Sequence, residues 1–328
     1  GDATTTLKEF FGGTKVNLED EMGDSSSVVY ASNEAKANLD TDYTITKGNS
    51  TSTIALLASN KATVSVESGK KLTTNTNVAL AAVDGTSTAG SGSTAQNNGT
   101  ILSTRANDGI GIYSKDKGSK GINAGTITMP GKKAVGMYGK NVTNLENQTN
   151  KLIELKEEES VGMYGEIDGS TNSFTVDNAG KIKTNKMKSV GIYVKNDSTA
   201  TDAVSKMSIK NKEIEIAGGK ESIGIYAPKS TISTVGKITM ADTVTESVAT
   251  YISEGAKISN TVDAEIDLGK SGSNIAYYVK DKDTSLGTGA HLGEISGYGV
   301  GVYLEGTSSS NIAKLESTSP ELNFKQGA

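Results

Sequence analysis

Two carboxylates about 5–9 Å apart are enough to hydrolyse a glycosidic bond. The sequence offers two such sets, Glu265 with Glu294 and Glu154 with Glu213 and Glu215. Around them the chemistry is thin. His291 is the only histidine and Arg105 the only arginine, and they sit far apart in the chain. Asp281-Lys282-Asp283 begins like a calcium-binding loop, but the glycine and closing glutamate that such a loop needs are missing. With no cysteine there is no disulfide and no thiolate metal site. No phosphate loop or dinucleotide fingerprint occurs. The slots that hold acids in some places hold Lys181 and Lys237 in others, which is the pattern of a solvated face. The expectation is a chain without catalytic residues, metal or cofactor.

Whether those acids meet depends on the repeat that carries them. Ile110-Gly111-Ile112-Tyr113 recurs as Val135-Gly136-Met137-Tyr138, Val161-Gly162-Met163-Tyr164, Val190-Gly191-Ile192-Tyr193, Ile223-Gly224-Ile225-Tyr226 and Val300-Gly301-Val302-Tyr303. Looser copies end at Tyr251 and Tyr278, and weaker ones at Tyr30, Leu57 and Ala81. The fourth positions form a series of eleven markers, each 24–33 residues from the next. A second phrase precedes many markers, clearest in Asn97-Asn98-Gly99-Thr100-Ile101, Asn123-Ala124-Gly125-Thr126-Ile127 and Asn178-Ala179-Gly180-Lys181-Ile182. Asn and Gly there fit a turn with positive φ, and the β-branched residues after them fit a strand. A third apolar segment follows several tyrosines, as in Phe174–Val176 and Met207–Ile209.

Three short strands per unit cannot bury a face alone, but stacked units can pair strand on equivalent strand. The spacing therefore predicts an all-β fold, a right-handed, single-stranded parallel β-helix of about eleven coils with roughly 25–33 residues per coil. At about 4.8 Å per coil it is a rod roughly 50 Å long. Residues 1–328 read as one elongated domain, with loop insertions near 84–98 and 195–206. Lys151–Ser160 reads as a charged strand and turn, not a helix. A hydrophobic share of 34% is low for a globular core and suits the thin core of a solenoid.

Strand alternation puts the first and third phrase positions on one face and the second and fourth on the other. The recurrent Val or Ile at the first position points inward on this reading. Tyr113, Tyr138, Tyr164, Tyr193 and Tyr226 then form an outer column and a candidate ligand surface, since aromatic columns suit sugar faces and protein partners. The opposite orientation, with tyrosines in the core, stays open at this level.

The net charge of −5 and the interspersed lysines leave no basic stripe for nucleic acid. The chain has no segment able to span a membrane and no secretory signal, and it begins with Gly, which fits an excised piece. The V-G-I-Y phrase, the N-x-G-x-I lead-in, the Lys- and Asn-rich composition and the missing cysteines resemble the passenger repeats of large fusobacterial type V autotransporter adhesins over residues 16–328. The resemblance implies export through a C-terminal β-barrel that this chain lacks. It also implies display on the bacterial outer surface and attachment to a host cell-surface protein or glycan, or to partner bacteria. The passenger is expected to be a monomer. A purely structural shaft, or a carbohydrate-active β-helix enzyme of lyase, glycosidase or tailspike type, would share the same pattern.

Overall fold

A computed structural model describes residues 4–6, 15–17, 26–46, 53–84, 92–259, 264–281, 283–286, 293–306 and 323–324. Each unit is a coil with three sides. The phrase-bearing strands, from Ser26–Ala31 through Ile110–Lys115 and Val161–Asp168 to Gly299–Glu305, stack as an eleven-stranded parallel sheet. The other two sides merge into one twenty-stranded sheet. They merge because Phe174–Thr184 and Met207–Ile216 run through the corner that separate strands flank elsewhere. About nine turns carry a strand on every side. The fold is thus the parallel β-helix that the repeat spacing predicts. Leu152–Leu155 is a strand followed by a turn, also as expected.

Burial corrects the expected orientation of the phrase. Ile110–Lys115 and Val135–Lys140 both read half-buried, buried, buried, half-buried, buried, half-buried. The first position therefore faces outward and the glycine and third residue both face in. Strict alternation fails because the strand bends at the glycine, where the ladder register also skips a residue: Ile110 pairs with Val135 and Ile112 with Met137. A side chain has no room at the bend. A Cβ on Gly136 would stand 2.4 Å from Ile153 Cγ2 and 2.6 Å from the carbonyl oxygen of Gly162.

The asparagine lead-in is a second correction. Asn97, Asn123, Asn147, Asn178 and Asn211 are buried inside a corner, and none has positive φ. Their amides form a continuous ladder: Nδ2 donates to the next Oδ1 at 2.8, 2.8, 2.7 and 2.7 Å, and Asn211 closes it on the Val235 carbonyl at 2.6 Å. Gly125 sits beside the ladder for lack of space, since a Cβ there would be 2.0 Å from the oxygen of Gly99. The reduced copies at Gly236 and Gly293 do take positive φ, 64° and 76°. A further polar ladder precedes the phrase. Ser160, Ser189, Ser222 and Ser247 each accept from the backbone N–H one coil back, and Asn274 Oδ1 accepts from Ser247 N at 3.0 Å.

The turn just before each phrase carries a non-glycine residue in the left-handed region: Asp108, Lys133, Glu159, Lys188, Glu221 and Glu246, with φ of 53–58°. These side chains are exposed and flank the phrase sheet. The insertion at 195–206 is tied down. Lys195–Asp197 ends a strand, Ala203–Lys206 forms a single helical turn, and Asn196 Nδ2 donates to the carbonyls of Ala203 at 2.8 Å and Lys229 at 2.6 Å. In the 84–98 segment Thr94–Asn97 is a strand, and residues 85–91 lie outside the described residues. Among the described residues no helix is long and apolar enough to cross a membrane.

Candidate functional site

The outward positions of the phrase sheet make two parallel columns. One runs from Ile110 to Val300 and is aliphatic; the other is the tyrosines. Parallel register brings Tyr113, Tyr138, Tyr164, Tyr193 and Tyr226 into one line, as expected on the outer-column reading, and extends it through Tyr251 and Tyr278 to Tyr303. Successive ring centroids are 4.7–5.3 Å apart. From Tyr164 to Tyr278 the rings are stacked, with interplanar angles of 15–23°. A stacked ring turns its π-faces to its neighbours, so the column offers ring edges and hydroxyls to the outside. That suits a flat, hydrogen-bonding partner better than a sugar lying on an aromatic face. Tyr30 is 60% exposed and outside the column, because its register partner is Leu57.

Tyr138 breaks the stack. Its ring stands at 71° to Tyr113 and 87° to Tyr164. Its hydroxyl donates to Glu166, a carboxylate only 7% exposed. Lys140 and Lys195 flank Glu166 at 3.6 and 3.7 Å, and pair outward with Asp168 at 2.7 Å and Asp197 at 2.9 Å. Tyr278 repeats the motif with Glu305. Burial pushes the tyrosine hydroxyls up from their ordinary range: Tyr164 to about 12, and Tyr113, Tyr138, Tyr226, Tyr251 and Tyr278 in the same direction. At Tyr138 and Tyr278 the bond to the neighbouring carboxylate adds to the effect. Glu166 was not legible in the repeat, because an acid two residues after the tyrosine occurs in few copies.

The candidate acids fall elsewhere. Glu265 and Glu294 are register neighbours on the third side, and Glu265 is ion-paired with Lys237 at 3.6 Å. Glu154 does not join Glu215; Lys183 lies between them in the ladder, paired with one on each side. Glu215 binds Lys181 at 2.6 Å and Lys183 at 3.2 Å, while Glu213 binds Lys181 at 2.9 Å. Asp281 sits in a turn and accepts from the Glu254 N–H at 3.2 Å. Arg105 follows the strand Thr100–Ser103 in a turn, and His291 lies outside the described residues. Among the described residues no three His, Cys, Asp or Glu side chains group as metal ligands.

A family model described as the BigA third pectate lyase-like domain matches residues 10–203, more than half of the chain. The chain belongs to the BigA third pectate lyase-like domain family. No curated protein and no solved structure matches it. Membership fits a β-helix domain of a bacterial surface protein with an adhesin-like or structural role. The matched part of this BigA-type domain holds the tyrosine column from Tyr113 to Tyr193 and the Glu166 cluster. Beyond residue 203 the same register continues to Tyr303.

Proposed function

We propose that this BigA-type domain is a non-enzymatic segment of a bacterial autotransporter adhesin of the fusobacterial kind, and that its phrase sheet is the adhesive face. The observation that carries the reading is the uninterrupted outward column from Tyr113 to Tyr303 beside an aliphatic column. A face of that regularity presents edges, hydroxyls and methyl groups over a long flat surface, which suits a host cell-surface protein, a glycan chain or a partner bacterium. The Lys181–Glu213 and Lys183–Glu215 pairs support the non-enzymatic part, because each of these carboxylates is already held by a lysine.

The test is binding of the labelled chain to epithelial cells, immune cells and partner bacteria. Saturable binding that falls when Tyr193→Ala and Tyr226→Ala are combined supports the adhesive face. Turnover of a polysaccharide panel, abolished by Glu265→Gln, would replace this reading with an enzymatic one. A second reading, a spacer shaft, is favoured by the asparagine ladder from Asn97 to Asn211, which ties five coils into one stiff column. A folded chain that binds nothing, and whose coil deletions shorten the reach of the parent protein, would select it.

A further inference from the structure

A tyrosine gives up an electron readily only where its phenolic proton can leave as well. Removing the electron alone would put a positive charge on a half-buried ring, which is costly. A carboxylate already accepting the hydroxyl proton removes that cost. A stacked neighbour adds the second requirement, a ring with which the radical can combine.

The column distributes these two features unevenly. Tyr138 has an acceptor in Glu166 but stands edge-on to both neighbours. Tyr193 and Tyr226 are stacked at 17°, but among the described residues no carboxylate bonds either hydroxyl. Tyr278 has both. Its hydroxyl donates to Glu305, and its ring lies on that of Tyr251 with centroids 4.9 Å apart and planes at 23°. Lys280, 3.5 Å from Glu305, helps to hold the carboxylate in place. An oxidant also has a way in, because Tyr303, the next ring in the column, is 4.9 Å from Tyr278 and 44% exposed.

We propose that Tyr278 is an oxidative modification site, joined to Tyr251 as an intrachain dityrosine when the protein meets a peroxidase working on hydrogen peroxide. The O–H bond of Tyr278 breaks, with its electron going to the oxidant and its proton to Glu305. Tyr251 gives a second electron to the oxidant and its proton to water. The two phenoxyl rings join through a carbon–carbon bond ortho to the hydroxyls, and the hydrogens at those carbons shift to the oxygens. Two electrons and two protons have then left the rings, and they reduce one hydrogen peroxide to two waters.

The link ties one coil to the next and limits the freedom of the unfolded chain between Tyr251 and Tyr278. This chemistry takes place inside one chain and needs no partner on the face, so it stands or falls apart from the adhesive reading.

The 328-residue chain, treated with a haem peroxidase and hydrogen peroxide, should gain dityrosine fluorescence and still run as a single chain on a denaturing gel. Peptide mapping should find Tyr251 joined to Tyr278, two hydrogens short of the summed mass. Tyr30 and Tyr298 are internal controls: they are 60% and 53% exposed, and both lie outside the column. Tyr251→Phe keeps a ring in the stack without a hydroxyl, and should abolish the link with an unchanged circular dichroism spectrum. Glu305→Gln keeps a hydrogen-bond acceptor that takes no proton. It should lower the yield of the link several-fold at neutral pH, and the deficit should shrink as a mildly raised pH lets solvent take the proton; a loss of packing alone would not recover in this way. Linkage chiefly through Tyr30, Tyr298 or Tyr303, linkage between chains, or no dityrosine at all overturns the inference, as does a Glu305→Gln chain that links as well as the native one.

Discussion

Asn147 donates from Nδ2 to the Oδ1 of Asn178 at 2.7 Å, inside a corner where both residues are at most 1% exposed. From Asn123 to Asn211 each asparagine in this line accepts from the coil before it and donates to the next. Asn147→Leu removes both roles, leaving Asn123 Nδ2 without its side-chain acceptor and Asn178 Oδ1 without its donor. The loss should be about 3 kcal/mol, from two buried polar groups at about 1–3 kcal/mol each. Solenoids need not unfold as one unit. Hydrogen exchange of the strand Asn144–Asn147 is therefore the better readout than a global melt. Unchanged protection there would mean the ladder contributes little.

Gly136 tests the bend of the phrase. A methyl group at this position meets Ile153 and the Gly162 backbone, and backbone cannot swing away as a side-chain tip can. Ala249 and Ala276 hold the same place in later coils, so a methyl is accommodated where the stack has adjusted to it. Gly136→Ala should cost about 1–3 kcal/mol, the usual range for overpacking, and Gly136→Val more. Denaturant titration followed by tyrosine fluorescence measures it, since Tyr138 is two residues away. A neutral Gly136→Val would show that the bend has slack.

Much of this was legible because one coil differs from the next mainly at outward positions. Tyr113, Tyr138, Tyr164, Tyr193 and Tyr226 announce their shared column through phrase and interval alone. The inward or outward sense of Val135 or Val161 was not legible. Alternation is a rule for an unbent strand, and the glycine between them and the core bends it. Asn147 and Asn211 escaped for another reason. They lack the following glycine of the N-x-G phrase, so their kinship with Asn123 shows only once the ladder aligns coils of unequal length. Glu166 is legible only in three dimensions, where Lys140 and Lys195 arrive from the coils on either side.

Thr250 occupies the third, inward phrase position that Ile112, Ile192 and Ile225 fill elsewhere. It is fully buried, and its Oγ1 has no hydrogen-bond partner. Thr250→Val keeps the shape and removes the stranded hydroxyl, so it should stabilise the chain by about 1 kcal/mol. Thr250→Ser keeps the hydroxyl, loses the methyl and should destabilise it. The two substitutions moving in the same direction in a urea titration would count against an unsatisfied hydroxyl at this site.

The tyrosine column should make the rod sensitive to alkali. Burial raises the hydroxyl of Tyr164 to about 12, and those of Tyr138, Tyr226, Tyr251 and Tyr278 upward from their ordinary value near 10. In the unfolded chain these groups release protons near pH 10, while in the folded column they hold them. The folded state therefore binds more protons above pH 10, and its stability falls as pH rises. The contribution is complete below about pH 10 and is lost for Tyr164 by about pH 12. Absorbance of tyrosinate should lag behind that of a denatured control and then rise together with loss of the β-sheet dichroism signal. Glu166→Gln removes the negative charge beside Tyr138 and Tyr164, so their ionisation should move to lower pH in the folded chain. Titration of the folded chain in step with the denatured control would mean that the rings are open to solvent, and would remove the stacked column as a source of stability.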